Sequence, residues 1–173
     1  MDTIDGLVLP TVAALVGAAS GDSALGRSLS AQVVSVTRNS PVLVHAAQVW
    51  SDVIYDAINT NDIHAPLDKA ASLLSFRKPR SDRMDEITAC YLSTSLPSAF
   101  DMIKKYSKEA DIWSGLLANA NCGGENVHRG AIIGPALGAL VGTEAIPFVM
   151  LDGLYDKDEL QKEIDEFVRI ILK

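Results

Sequence analysis

The stretch NANCGGENVHRGAIIGPALGALVG, residues 119–142, decides the fold. A Gly123-Gly124 turn stops one helix, and Glu125 opens another that runs to Gly142. Within that helix Gly130, Gly134, Gly138 and Gly142 recur every four residues. Four residues advance about 400° along an α-helix, so these glycines form a slowly drifting ridge on one side. Each interior glycine costs roughly 1 kcal/mol against alanine, and Pro135 adds to the cost. Such a helix persists where another helix approaches closely, backbone nearly to backbone. The same spacing pairs helices in membranes. The apolar run from Ala131 to Val141, however, is well short of the roughly 20 residues a span needs. The expectation is a central, crowded helix in a bundle.

The residues around it read as helices throughout. Leu7 to Ala19 is apolar, with Pro10 in its first turn. Asp22 or Ser23 caps a second helix that reaches about Arg38, with Leu25, Leu29, Val33 and Val36 on one stripe. Ser40-Pro41 starts a third, where Leu43, Ala46, Ala47, Trp50, Ile54 and Ala57 keep three-four spacing, and Asn59 to Asp62 end it with turn residues. A shorter helix follows Pro66, with Leu67, Ala70, Leu73 and Leu74 as its core face. After a short segment around Met84 to Ala89, Ser95-Leu96-Pro97 reads as a helix start, and Glu109 to Ala120 reads as another helix. The last helix, Lys157 to Leu172, sets Leu160, Ile164, Phe167 and Ile171 on one face, with acids early and Arg169 and Lys173 late, as the helix dipole favours. No strand ladder or repeat stands out. The expected architecture is one all-α, compact multi-helix bundle over residues 1–173.

Composition narrows the partners. The chain has 173 residues, 48% of them hydrophobic, enough for a core without staples. Its net charge of −7 argues against a nucleic-acid binder and against anionic membranes. The basic loop Phe76 to Arg83, FRKPRSDR, could hold a phosphate, but reads first as an exposed solvated loop. Two cysteines, Cys90 and Cys122, form no CxxC pair, so a reducing interior is the expected compartment, cytoplasmic or organellar. The start MDTIDGLVLP has no basic n-region and does not read as a signal peptide.

Candidate chemistry gathers at the Gly-Gly turn, where Asn119, Asn121, Glu125, Asn126, His128 and Arg129 crowd two glycines. Three readings stay open. The helix N-terminus can present backbone N–H groups to an anion, with Gly123, Gly124, Asn126, His128 and Arg129 as ligand-binding residues. Glu125 can instead hold a hard cation through oxygen. Or Glu125 simply complements the dipole while Asn121 caps the turn. His45 and His64 have no partner motif and read as structural. No nucleophile elbow or paired-carboxylate motif offers another chemistry.

These residues resemble the ADP-ribosylglycohydrolase family. The match rests on Asn119-x-x-x-Gly123-Gly124-Glu125, then Gly130-Ala131-Ile132-Ile133-Gly134, Gly138-Ala139, Gly142 and Ile146-Pro147. Weaker likenesses lie at Gly6 to Pro10, at Val36 to Pro41, and from Cys90 to Ala99. The resemblance implies an all-α fold like the C-terminal half of the family. It also implies two magnesium or manganese ions in a central cleft and release of ADP-ribose from protein side chains or related conjugates. Two such metals would activate water and stabilise charge at the ribose. The family's Asn-x-Gly-Gly-Asp-x-Asp pattern is altered here to Glu125 and then Val127, which cannot bind a metal. The family's N-terminal half, with its own acidic ligands, has no counterpart ahead of residue 6. The expectation is therefore a degenerate relative with Glu125 as its one candidate metal ligand. It would have no catalytic residue and no metal in this chain alone, and would act as an interaction or scaffold subunit. The alternative is a metal-dependent hydrolase completed by another chain or a longer protein. A half-bundle would leave an apolar face for a protein partner or a second copy to cover.

Overall fold

In the computed structural model, residues 2–109 and 111–172 are described. The chain begins with one 3-10 turn, Ile4–Leu7, that runs into α1 (Val8–Ser20). Pro10 sits in the first turn of α1, where its missing N–H has no helical partner to lose. Gly21 ends α1 in the left-handed region at φ 69°, and the Asp22 carboxylate accepts the Leu25 N–H at 3.0 Å to cap α2 (Ser23–Thr37). Ser40 caps α3 (Pro41–Thr60), which closes on Asn61, also left-handed at φ 55°. There follow α4 (His64–Leu73), α5 (Leu92–Tyr106), α6 (Ile112–Cys122), α7 (Val127–Val141), the short α8 (Phe148–Asp152) and α9 (Lys157–Ile171). Among the described residues, extended pairing is confined to two isolated bridges, Thr3 with Tyr91 and Thr88 with Gly124. The fold is all-α, as expected. None of the described helices is long and apolar enough to cross a membrane.

The core forms around α3, whose expected face is wholly buried: Leu43, Ala46, Ala47, Trp50, Ile54 and Ala57. Trp50 stacks on Phe100 of α5 with ring centroids 6.1 Å apart. Its indole N–H reaches the buried Thr11 hydroxyl at 2.9 Å, and that hydroxyl donates in turn to the Leu7 carbonyl. A buried aromatic with a polar tip is thereby satisfied.

Several expectations change. The α2 stripe of Leu25, Leu29, Val33 and Val36 is not the core face. Val36 is 87% exposed, and α2 buries Gly26, Ser30 and Val34 instead. The reason is backbone approach. A Cβ on Gly17 of α1 would lie 2.4 Å from the Gly26 Cα, so only glycines let these helices cross. Close packing therefore falls at Gly17 and Gly26, not on the α7 ridge. There the ridge meets side chains of α6, with Asn119 3.0 Å from a Cβ built on Gly130, Leu116 3.7 Å from Gly134, and Ile112 4.0 Å from Gly138. The helix is nevertheless central, packed against α1, α3, α5 and α6. Gly134→Ala fills ordinary contact distance, and it is expected to stabilise the chain by about 0.5–1 kcal/mol in chemical denaturation.

Helix starts also shift. α4 begins at His64, ahead of Pro66, and leaves Leu73 half exposed. α5 begins at Leu92, so Pro97 is buried inside the helix rather than at its entry. α6 begins at Ile112, capped by Asp111, while Ser107–Glu109 is a 3-10 turn. Ala110 of the expected 109–120 helix lies outside the described residues, as does Lys173 at the end of α9. The basic loop is held rather than free. The buried Asp101 carboxylate accepts the Arg80 backbone N–H at 2.7 Å and the Arg77 guanidinium at 2.7 Å, and Arg77 also pairs with Glu86 at 2.9 Å.

Candidate functional site

The turn between α6 and α7 is built by two glycines with positive φ, Gly123 at 76° and Gly124 at 70°. Gly124 is required twice over. Its φ suits glycine, and a Cβ there would stand 2.3 Å from the Thr88 carbonyl oxygen. That carbonyl accepts the Glu125 N–H at 2.8 Å, tying the turn to the extended segment before α5.

Arg129, on the first turn of α7, holds the whole arrangement and is fully buried. Its Nε donates to Asn119 Oδ1 at 2.6 Å, and Nη1 donates to Thr88 Oγ1 at 2.8 Å and to the Glu86 carbonyl at 3.1 Å. Its Nη2 donates to the Gly123 carbonyl at 3.1 Å, to Cys122 Sγ at 3.1 Å and to the Asn119 carbonyl at 3.4 Å. Among the described residues no carboxylate pairs with it. The compensation comes from neutral acceptors, two of them carbonyls at the C-terminal end of α6, where the helix dipole favours a cation. Asn119 completes the lattice by donating from Nδ2 to the Asn126 carbonyl at 2.7 Å. In this arrangement the guanidinium faces the chain's own backbone and offers a ligand no free surface.

Val127 and His128 face outward, with the mostly buried Glu125 beside them. One oxygen of Glu125, Oε1, accepts the His128 backbone N–H at 3.1 Å and lies 3.0 Å from His128 Nδ1. The carboxylate thus caps α7 from just outside the helix. Val127 is 72% exposed at the position of the second motif acid. Asn126 donates to the Ala120 carbonyl at 3.4 Å, and its own carbonyl accepts the Gly130 N–H. His45 and His64 lie elsewhere, against the Leu73 carbonyl and the Ser107 hydroxyl.

A further carboxylate feels the charge of His128, and sequence reasoning did not assign it. Asp5, in the first 3-10 turn, pairs with Arg38 and accepts from Thr3. Burial pushes its carboxyl up, but the Thr3 hydrogen bond and the charges of Arg38 and His128 outweigh that and set it below the usual carboxylate value. Asp5 therefore lies within electrostatic reach of His128. A lowered carboxyl contributes stability that is full above the ordinary value near 4 and is lost as pH falls through the lowered one. Asp5→Asn is expected to flatten the acid limb of the stability curve below about pH 4, read from denaturation midpoints between neutral and acid pH. An unchanged acid limb would count against the pair.

The two metals implied by the family need several oxygen ligands. Here Glu125 has one oxygen engaged as a cap, Asp5 is paired with Arg38, and Val127 supplies none. Among the described residues no group of three or more His, Cys, Asp or Glu side chains could hold a metal ion. The donor set does not fit a dinuclear centre.

A family model described as ADP-ribosylglycohydrolase covers residues 5–172. Neither a curated protein nor a solved structure matches the chain.

Proposed function

The chain belongs to the ADP-ribosylglycohydrolase family, and from that premise we propose that this chain alone is a non-catalytic relative acting as an interaction or scaffold subunit. The observation that carries the reading is the altered motif. Its first acid, Glu125, serves as the cap of α7, and its second position is an exposed valine. Arg129 supports the same reading, because its donors are consumed in holding the Gly-Gly turn. Exposed apolar side chains support the interaction role. Val36 on α2 and Leu9 and Val12 on α1 are large apolar side chains left exposed, of the kind that a protein partner or a second copy would cover. We place the chain in a reducing interior, in keeping with two free cysteines, Cys90 and Cys122.

A second reading has its own observation. Glu125 and His128 lie 3.0 Å apart beside the Gly-Gly turn, one carboxylate oxygen and one imidazole nitrogen held together. A second chain that contributed further oxygens there would complete a magnesium or manganese site and restore hydrolysis of ADP-ribose conjugates. Calorimetric titration with manganese and magnesium separates the two. The scaffold reading expects no saturable heat for the chain alone. Tight binding abolished by Glu125→Gln would establish the second reading instead.

A further inference from the structure

Helix α9 is amphipathic, yet not one of its residues is buried. Its apolar face stands off the body of the fold and leaves an open cleft of about 540 Å³. Val12, Leu15 and Ile58 form one wall, and Ile164, Phe167 and Ile171 form the other. On α9 itself Ile164 remains 55% exposed and Leu160 40% exposed, so the chain covers this face only in part. Helical geometry puts Glu159 and Glu163 along one border of the apolar stripe, and Glu163 lines the cleft itself, while Asp158 and Asp165 lie beyond Lys157 and Gln161 on the other side. Among the described residues, Glu163, Asp158 and Asp165 pair with no cation, whereas Arg169 and Lys162 turn to Glu166 and Glu159.

The acidic rim selects the occupant. A second copy would bring the same acids against these, and the chain already carries a net charge of −7. Like charges at an interface cost affinity, and opposite ones steer and fix the register. We propose that the cleft between α1 and α9 docks an amphipathic helical segment of another protein, with an apolar ridge flanked by lysine or arginine. The ridge would fill the Val12–Phe167 cleft in the helix-in-groove mode, and its cations would meet Glu163 on the cleft's border. This deepens the partner reading above by naming a place and a chemistry, and it does not depend on the outcome of the metal titration.

The probes are a leucine–lysine peptide with leucines at three-four spacing and its leucine–glutamate counterpart, titrated by fluorescence against the whole chain. The lysine peptide is expected to bind, the glutamate peptide not. Glu163→Lys is expected to weaken binding about tenfold or more, while charge reversal at the exposed Glu144, outside the cleft, leaves it nearly unchanged. Ile164→Asp is expected to abolish binding while the far-ultraviolet spectrum stays helical. No binding, equal binding of both peptides, or equal loss with Glu144→Lys and Glu163→Lys would overturn the proposal. So would sedimentation of the wild-type chain as a dimer that Ile164→Asp converts to monomer, since a second copy would then be the occupant.

Discussion

Replacing Arg129 by methionine is expected to destabilise the chain by about 3–5 kcal/mol, the largest loss of any single substitution at the Gly-Gly turn. Methionine approximates the aliphatic stem but leaves Asn119 Oδ1, Thr88 Oγ1 and the Gly123 carbonyl without the guanidinium donors, and the Glu86 carbonyl with only the Cys122 thiol. Each buried acceptor so orphaned costs on the order of 1–3 kcal/mol, reduced where water can enter. Lysine should rescue only part of the loss, because an ammonium cannot span acceptors on three segments as the planar fork does. Urea denaturation of the wild type, Arg129→Lys and Arg129→Met should therefore rank in that order. His128→Ala, at a half-exposed side chain, should change stability by about 0.5 kcal/mol or less. Were Arg129 instead a ligand-binding group, the methionine variant would keep wild-type stability.

The second large effect concerns a glycine outside the motif. Gly17→Ala is expected to cost about 2–3 kcal/mol, even though alanine is the better helix former by about 1 kcal/mol. The new Cβ would meet the Gly26 Cα at 2.4 Å and its nitrogen at 2.6 Å, both backbone atoms that cannot rotate away. Helices α1 and α2 would have to separate, opening the contact in which Ser30 donates to the Pro10 carbonyl. The same substitution at Gly134 is expected to stabilise. A denaturant series that gave both variants the same sign would contradict the placement of close packing between α1 and α2.

These two positions also show what was legible in the sequence. The face of α3 could be read because large apolar residues at three-four spacing announce which side is buried. Helix α2 was read on its wrong side because its real contact is made by small residues, Gly26 and Ser30, which carry no hydrophobic signal. The α7 glycines drew attention by their regular spacing. Spacing alone does not tell whether backbone or side chains of α6 fill the ridge. At the site, the Gly-Gly turn, Glu125 and His128 lie side by side because they are neighbours in the chain, and that much is legible from sequence. Arg129 looked like a ligand-binding cation because its partners Glu86 and Thr88 lie some forty residues earlier and become neighbours only on folding. Asp5 was missed for the same reason, since its tie to Arg38 and its closeness to His128 are tertiary.

The proposed reading has the Gly-Gly segment of this family member serve packing and capping rather than hydrolysis. It is tested most directly by incubating the purified chain with an ADP-ribosylated peptide and manganese, and measuring free ADP-ribose. The account predicts release no faster than in a metal-free control, with Glu125→Gln indistinguishable from wild type. Manganese-dependent release that Glu125→Gln abolishes would contradict it.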